Sequence, residues 1–317
     1  MRYSEKKKIL HHYSSSDGIG NIYIFWGTWK NVIKAFLYGF ENALGHPAQI
    51  HYALDYPDKV KNLDDAINLN TEFVFNKLGI KKGKVIELGC GIGGASVRLA
   101  GKYPMVSFTG ITLSQRQAEL ANIRAAKLKA LNARFIKGDF LKPCKLNNKF
   151  DGGFAQESLV HVADADKPML FENLYKIIKK GGKISIIDGF ATDKYLSKKK
   201  HLCKFDKIAE GWSLPSPISS WKFFIKSAKS AGFRLVSNEN LTSSVLGSSK
   251  EIRNRAMLFF PVIKVARVLN CKILDQSIFR KCGFNSDFAF KFAHTCREQY
   301  GLFKEGNIEY RSIVLEK

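Results

Sequence analysis

The chain has 317 residues, which allows two domains of ordinary size or one large α/β domain with insertions. Charged residues make up 25% and hydrophobic residues 45% of it, a globular composition that excludes a disordered or collagen-like chain. The 51 Lys and Arg against 28 Asp and Glu give a net charge of +23, which indicates either anionic partners (nucleic acid, an acidic lipid surface or a phosphorylated small molecule) or simply a lysine-rich solvated surface.

The first 190 residues contain the regular part of the pattern. Residues 1–62 are aromatic-rich and irregular, which favours an N-terminal lid over a separate domain. From residue 63 apolar residues follow the spacing of one buried helix face, and Gly79 ends that helix. Strands are then predicted at 84–88, 106–113, 133–140, 150–157 and 183–190. The helices between them are predicted at 95–100, at 115–131 with Ser114 as N-cap, and at 167–180 with Gly181 and Gly182 as the stop.

After residue 190 the alternation breaks down. The sequence predicts a basic loop or short helix at 191–216, a helix at 217–231, a strand at 234–241, mostly helix at 248–300 and an edge or antiparallel strand at 308–317. The chain is therefore predicted to be α/β, with a doubly wound, mostly parallel seven-stranded sheet. The predicted domains are an N-terminal lid (1–62), a regular α/β core (63–190) and a helical cap that also supplies the last two strands (191–317).

The strongest motif is the run ELGCGIGG, directly after the first strand. Gly89, Gly91 and Gly94 satisfy the dinucleotide pattern G-x-G-x-x-G, which is weak by itself. Glu87, Gly89, Gly91 and Gly93 equally satisfy E-x-G-x-G-x-G, and a carboxylate two residues before the first glycine suits an ammonium group better than a pyrophosphate. No acid follows about 20 residues later to hold a nicotinamide-type ribose, which also favours the second pattern.

The other strands end in polar residues that can complete a ligand site, because the carboxyl ends of parallel strands meet at one crevice. Thr112 and Gln117 follow the second strand and could hold a ribose diol. Asp139 and Phe140 follow the third and could accept an adenine amine and pack on the base. The fourth strand ends in Gln156, Glu157 and then His161.

The order of ELGCGIGG, GITLSQRQ, GDF, FDGGFAQES-x-x-H and KKGGKISIID resembles class I S-adenosylmethionine-dependent methyltransferases, over about residues 63–190 and more loosely the whole chain. Within that class it is similar to tocopherol and sterol C-methyltransferases, cyclopropane fatty-acid synthases and prenyl-diphosphate C-methyltransferases. The resemblance implies a Rossmann-like fold and S-adenosyl-L-methionine as cofactor, with S-adenosyl-L-homocysteine as product. It assigns the methionine part to the motif Glu87, Gly89, Gly91 and Gly93.

The same resemblance implies the remaining roles. It assigns the ribose to Thr112 and Gln117, the adenine to Asp139 and Phe140, and the surroundings of the sulfonium and the acceptor to Gln156 and Glu157. His12-Tyr13 is similar to an "H-Y" lid motif, so that Tyr13 would close over the cofactor. Cyclopropane synthases carry a Glu directly before the His, and Val160 stands at that place here, which argues against cyclopropanation.

The implied reaction is C-methylation of a lipophilic, isoprenoid-type acceptor, such as a prenyl diphosphate, through a carbocation. Glu157 and His161 are the candidate bases, and Tyr23, Trp26 and Trp212 are candidates for an aromatic substrate wall. Three alternatives remain open: an N- or O-methyltransferase of a small metabolite, a nicotinamide-dependent oxidoreductase, and a non-catalytic basic protein that docks on membranes.

Charge and cysteines bear on partners and location. Residues 176–281 contain 22 Lys and Arg against 7 Asp and Glu, so most of the basic excess lies over the predicted cap. This distribution favours an anionic lipophilic acceptor or a peripheral contact with an anionic membrane over nucleic acid.

The six cysteines form no C-x-x-C pair, and neither a signal peptide nor a membrane span is predicted. We therefore expect no metal site and a cytoplasmic protein, with a homo-oligomer left open.

Overall fold

The computed structural model describes residue 49 and residues 51–142, 149–197, 208–215, 218–268 and 286–317. The elements follow in the order α1 (Leu63–Asn76), β1 (Gly83–Leu88), α2 (Gly94–Lys102), β2 (Val106–Thr112), α3 (Gln115–Lys127), β3 (Ala133–Lys137), β4 (Phe150–Gln156), α4 (Lys167–Ile177), β5 (Ile178–Ala191), α5 (Asp193–Leu196), α6 (Trp221–Ser230), β6 (Arg234–Asn240), α7 (Thr242–Val268), α8 (Ser286–Lys304) and β7 (Ile308–Glu316). The strands form one seven-stranded sheet in the order β3-β2-β1-β4-β5-β7-β6. The predicted seven-stranded Rossmann-like sheet is therefore confirmed.

Strands β1 to β5 are parallel, and β7 runs antiparallel between β5 and β6. The sequence predicted β7 as an edge or antiparallel strand. It is antiparallel, and β6 forms the edge of the sheet next to it. In this register Tyr310 of β7 lies opposite Gly189 of β5, while Ile187 of β5 lies opposite Gln156 of β4. The end of β4 and the start of β7 are therefore brought to the same region of the sheet.

Several predicted boundaries are wrong by a few residues, among them the start of α6, which is Trp221 instead of residue 217, and three in the core. Helix α3 ends at Lys127 instead of residue 131, and Lys129 there has a left-handed φ of 54°. Strand β3 ends at Lys137 instead of residue 140, because the chain turns at Asp139, whose carboxylate accepts a hydrogen bond from the Leu141 N–H.

The third wrong boundary is the end of α4. The helix stops at Ile177 instead of residue 180, because Ile178 pairs with Phe150 and starts β5. The glycines expected to end the helix lie inside the strand, where the register of the β4–β5 pair shifts and Gly181 has a φ of 75°.

Two apolar layers cover the sheet because successive side chains of a strand point to opposite faces. One layer joins Val85 and Phe108 to α1 and α2, and the other joins Ile86 and Ile184 to α4 and α6. Helices α7 and α8 pack on each other beyond the first layer. Of the predicted lid, the described part includes the buried residues Tyr52 and Ala53. In the part of the chain that the structure describes, no helix has both the length and the apolar character needed to cross a lipid bilayer.

Candidate active site

The loop between β1 and α2 turns through three glycines in the left-handed region. Gly89, Gly91 and Gly93 have φ values of 77°, 51° and 79°, which side chains other than glycine rarely adopt. A Cβ on Gly93 would lie 2.8 Å from both Ala121 Cβ and Phe135 Cζ, so that this glycine is needed for packing. A Cβ on Gly91 would meet no described atom within 4 Å. The backbone at Gly91 therefore borders open space that a ligand can approach.

The Glu87 carboxylate lies directly below this loop, near the end of β1. Its side chain is 6% exposed and accepts a hydrogen bond from Ser96 Oγ. Burial raises the pKa of Glu87 to about 7, and no cationic side chain among the described residues offsets that rise. A buried carboxylate in this condition is stabilised by an ammonium group that enters the site. This buried acceptor therefore fits the amino group of S-adenosylmethionine.

Polar side chains cap the neighbouring strand β2. Thr112 Oγ1 donates a hydrogen bond of 2.6 Å to Gln117 Oε1, and both side chains are buried. Ser114 is the N-cap of α3, as predicted, and its Oγ accepts from the Gln117 N–H at 3.1 Å. The N–H of Gly89 donates to Ile111 O at 2.9 Å and ties this strand end to the glycine loop. The ribose role of Thr112 and Gln117 stays a prediction.

The residues predicted to hold the adenine lie after β3. Asp139 Oδ1 accepts a hydrogen bond of 3.0 Å from the Leu141 N–H. Phe140 is half-buried and packs against the core cluster that contains Ile111 and Leu141. Because β3 lies next to β2 in the sheet, both residues belong to the same edge as the glycine loop. Their contact with adenine stays a prediction.

Gln156, the last residue of β4, has an unsatisfied acceptor. Its Nε2 lies 3.3 Å from His51 Nε2, while its Oε1 is buried without a hydrogen bond to any described residue. Burial lowers the pKa of His51 to about 4, so that the ring is neutral at pH 7. Buried polar atoms in proteins normally have partners. The orphaned oxygen therefore fits a site completed by a ligand donor.

The Glu157 carboxylate is held on one oxygen only. Oε1 accepts two hydrogen bonds of 2.7 Å, one from the Tyr52 N–H and one from the Tyr310 hydroxyl. Both hydrogen bonds of the half-buried side chain are to Oε1, so Oε2 makes no hydrogen bond to a described residue. Burial raises the pKa of Glu157 to about 8. This side chain can therefore take up a proton at Oε2 near neutral pH.

The two residues that hold this carboxylate, Tyr52 and Tyr310, belong to a cluster of aromatic rings. The Tyr52 ring makes edge-on contacts with the rings of Trp212, Phe303 and Tyr310, at centroid distances of 6.4, 5.2 and 5.6 Å. Trp212 was predicted as a wall residue, and it ends a short helical stretch at 208–212. The structure thus brings Trp212 to the group that includes Glu157. Tyr13, Tyr23 and Trp26 lie outside the described residues.

His161 lies in the turn after Glu157. Its Nδ1 is 3.2 Å from Ser213 O, so this nitrogen carries the proton in a hydrogen-bonded neutral ring. Burial lowers the pKa of His161 to about 4, because the charged form loses its hydration. The residue is therefore neutral at pH 7, and its base role stays a prediction.

Four residues of this site were missed from the sequence: His51, Tyr52, Asp188 and Tyr310. The dipeptide His51-Tyr52 repeats His12-Tyr13 and could have been noticed. Asp188 is the one acid in the apolar run KISIIDGF and was also visible. Tyr310 carries no local signal, since only the order of the sheet brings it to Glu157.

Comparison with known proteins agrees with this geometry. Residues 85–182 match the family model described as a methyltransferase domain. Over 182 residues the chain is 29% identical to the sterol 24-C-methyltransferase erg6 of Aspergillus fumigatus, and the alignment covers 56% of this chain and 46% of that protein. The chain spans about half the length of the first curated relatives that it matches.

Two solved structures resemble the whole fold. Geranyl diphosphate C-methyltransferase from Streptomyces coelicolor A3(2), in complex with Mg²⁺, geranyl diphosphate and S-adenosyl-L-homocysteine, has a TM-score of 0.60 at 18% identity and covers 85% of this chain and 92% of that chain. The [4+2]-cyclase SpnF has a TM-score of 0.66 at 17% identity and covers 96% of each chain. Identities this low show the fold alone.

The sheet, the glycine loop and the family match define the class: this chain contains a class I S-adenosylmethionine-dependent methyltransferase domain. Its first curated relatives within that class are methyltransferases of sterols. The methyltransferase interpretation of the ELGCGIGG run is therefore confirmed.

Proposed function

We propose that this chain is an S-adenosylmethionine-dependent C-methyltransferase of a lipophilic, isoprenoid-type acceptor. The observation that carries the proposal is Glu157, a single carboxylate with one open oxygen beside a cluster of aromatic rings. The names of the relatives support this acceptor class, since they include sterol methyltransferases and a geranyl diphosphate C-methyltransferase. Within that class, our more specific hypothesis is a prenyl diphosphate.

When bound, S-adenosylmethionine supplies an electrophilic methyl group and leaves as S-adenosyl-L-homocysteine. Glu87 and the backbone at Gly91 would hold its amino-acid part, Thr112 and Gln117 its ribose. Asp139 and Phe140 would hold its adenine, and Gln156 would face the reacting end. Methyl transfer needs little acid–base help, so the contribution of these residues is mainly to orient the reactants.

The residues around Glu157 suit a carbocation that forms on an alkene acceptor. The π electrons of the acceptor form the new C–C bond, which leaves an adjacent carbon positively charged. The faces of the Tyr52 and Trp212 rings stabilise that charge. Glu157 Oε2 then takes a proton from the neighbouring carbon, and the C–H electron pair restores a double bond. An ionised Glu157 also stabilises the developing charge before the proton moves.

The decisive experiment follows a labelled methyl group. The purified full chain is incubated with S-adenosylmethionine that carries a radiolabelled methyl and with geranyl diphosphate plus Mg²⁺, a Δ24-sterol, a quinone or an amine. We expect a product with a new C–C bond and a shifted double bond, identified by mass spectrometry and NMR. Label on nitrogen or oxygen would instead show an N- or O-methyltransferase, and conversion without label transfer would point to chemistry like that of the cyclase.

The base role is tested by Glu157→Gln. We expect turnover to fall by about 100-fold or more, while the Kd for S-adenosylmethionine changes less than about 2-fold, because Glu157 lies outside the glycine loop. Glu239→Gln is the matched control, since the Glu239 side chain is 40% exposed and paired with Lys77. Unchanged turnover in the Glu157 variant would remove this residue from catalysis.

Location and surface contacts stay predictions from the sequence. We propose a cytoplasmic protein that touches anionic membranes through its cap. On α7, Met257 and Leu258 are 48% and 64% exposed, near the exposed Lys264. Flotation with anionic and with neutral vesicles tests this contact; equal binding to both, or to neither, would contradict it.

A further inference from the structure

Asp188 fastens the turn that follows Glu157. It lies on β5 and is 1% exposed. Its Oδ2 accepts a hydrogen bond of 2.9 Å from the Val160 N–H, and its Oδ1 accepts one of 2.9 Å from the Gly189 N–H. The Leu159 N–H also points at this carboxylate. Asp188 therefore satisfies the free donors of the short helical turn Leu159–His161.

Lys167 holds the other end of the same turn. Its side chain is 1% exposed, and its Nζ donates to Val162 O and lies 3.2 Å from Asp164 Oδ1. Its positive charge also stabilises the ionised form of Asp188. A buried acid and a buried amine thus fix both ends of the turn that follows Glu157 and carries His161.

Glu157 needs such support because its backbone is strained. Its φ of 49° lies in the left-handed region, which costs a residue other than glycine about 1–2 kcal/mol. Its N–H donates to Ile187 O at 2.9 Å, one residue before Asp188 in β5. Strained backbone persists only where the surroundings fix it, and such residues concentrate at functional sites.

We propose that Asp188 is a positioning residue of the reaction: it holds the turn after β4 so that the Glu157 carboxylate stays anchored at Oε1 and open at Oε2. The inference rests on the proposed function, in which Glu157 is the base. Asp188 makes no hydrogen bond to Glu157, so its effect passes through the backbone and through its charge.

Three described groups act on the ionisation of Glu157. The Tyr52 N–H and the Tyr310 hydroxyl favour the carboxylate and lower its pKa, whereas the negative charge of Asp188 raises it. Asp188 itself has a pKa raised to about 7 by burial, and Lys167 opposes that rise. Removal of the Asp188 charge and removal of the Tyr310 hydroxyl should therefore shift the pKa of Glu157 in opposite directions.

The experiment compares Asp188→Asn, Tyr310→Phe and the control Asp193→Asn, which changes an exposed aspartate paired with Lys222. A base works in its ionised form, so kcat/KM rises with pH through the pKa of Glu157. For Asp188→Asn we expect kcat to fall about 10–100-fold, the Kd for S-adenosylmethionine to stay within about 2-fold, and the rise to move to lower pH. For Tyr310→Phe the rise should move to higher pH, and Asp193→Asn should behave like the wild type.

Wild-type kcat in Asp188→Asn, or a rise that moves to higher pH, would overturn the inference. If Asp188→Asn does not fold, Asp188→Glu replaces it: the charge remains but the longer side chain displaces the turn, so kcat should fall without a shift to lower pH. Wild-type kcat in that variant would equally overturn the positioning role. If Glu157→Gln alone retains full turnover, the proposed function fails together with this inference; if it is slow and both Asp188 variants are not, only the inference fails.

Discussion

Replacement of Gly91 by alanine separates cofactor binding from folding. At φ 51° a Cβ on Gly91 meets no described atom within 4 Å, so the change adds a backbone cost but no clash. Gly79, after α1, is a matched control because its φ is 69° and its Cβ also meets nothing within 4 Å. The two variants differ only in where the added methyl group lies.

Both variants should lose about 1–2 kcal/mol of the free energy of unfolding, which is the cost of an alanine in the left-handed region. Only Gly91→Ala places a methyl group where the protein backbone is expected to contact the cofactor. A misfit of this size should weaken S-adenosylmethionine binding at least about 10-fold, which corresponds to about 1.4 kcal/mol. Gly93→Ala should be the least stable of the three, since its Cβ would lie 2.8 Å from Ala121 and Phe135.

Urea unfolding gives the stability of each variant, and isothermal titration calorimetry gives its Kd for S-adenosylmethionine. If Gly91→Ala binds the cofactor as tightly as Gly79→Ala, the open space at Gly91 is not the cofactor cradle. If Gly91→Ala is instead far less stable than Gly79→Ala, the space is not open in solution, and the equal-cost reasoning fails.

The remaining predictions concern charge and the aromatic wall. Glu87→Gln should weaken S-adenosylmethionine binding about 10-fold. It should also abolish the gain in affinity that we expect for the wild type between pH 6 and 8 in calorimetry, because burial raises the pKa of Glu87 to about 7. Without cofactor, the free energy of unfolding measured in urea should fall between pH 6.5 and 8. Burial raises the pKa values of Glu87, Glu157 and Asp188, so that the native state loses their protons in this range and is left with buried charges. A free energy of unfolding that rises over this range would contradict their burial. Trp212→Leu should raise KM for the acceptor with an unchanged Kd for S-adenosylmethionine, whereas Trp221→Leu, at a ring that stacks on Arg311, should change neither.

The predicted part of the site is the part that local sequence controls. Gly89 and Gly93 mark the turn because no other residue fits their backbone, and Ser114 marks the start of α3 because its hydroxyl caps the helix. Each of these signals acts within a few residues of the chain. Because parallel strands bring their carboxyl ends to one edge of the sheet, the edge on which the glycine loop lies could be predicted, while the contacts of its residues with the cofactor stay predictions.

Signals that depend on distant pairing could not be found in this way. The pattern at 167–180 continues as a helix, but pairing of Ile178 with Phe150 overrides that preference and starts β5 early. Tyr310 reaches Glu157 because β7 is inserted next to β5, in a register set by nine successive pairs along the strand. The local pattern of residues 308–317 predicts neither this insertion nor this register.

The anchoring of Glu157 shows a further limit of what residue types can reveal. One of its two donors is the Tyr52 N–H, which any residue except proline would supply at that position. The Tyr52 hydroxyl is used elsewhere, donating to Gln299 Oε1 at 2.7 Å on the cap helix α8. The same residue therefore joins Glu157 to α8, through its backbone N–H on one side and its hydroxyl on the other. A contact of this kind depends on the path of the chain, so it follows from the fold and not from a motif.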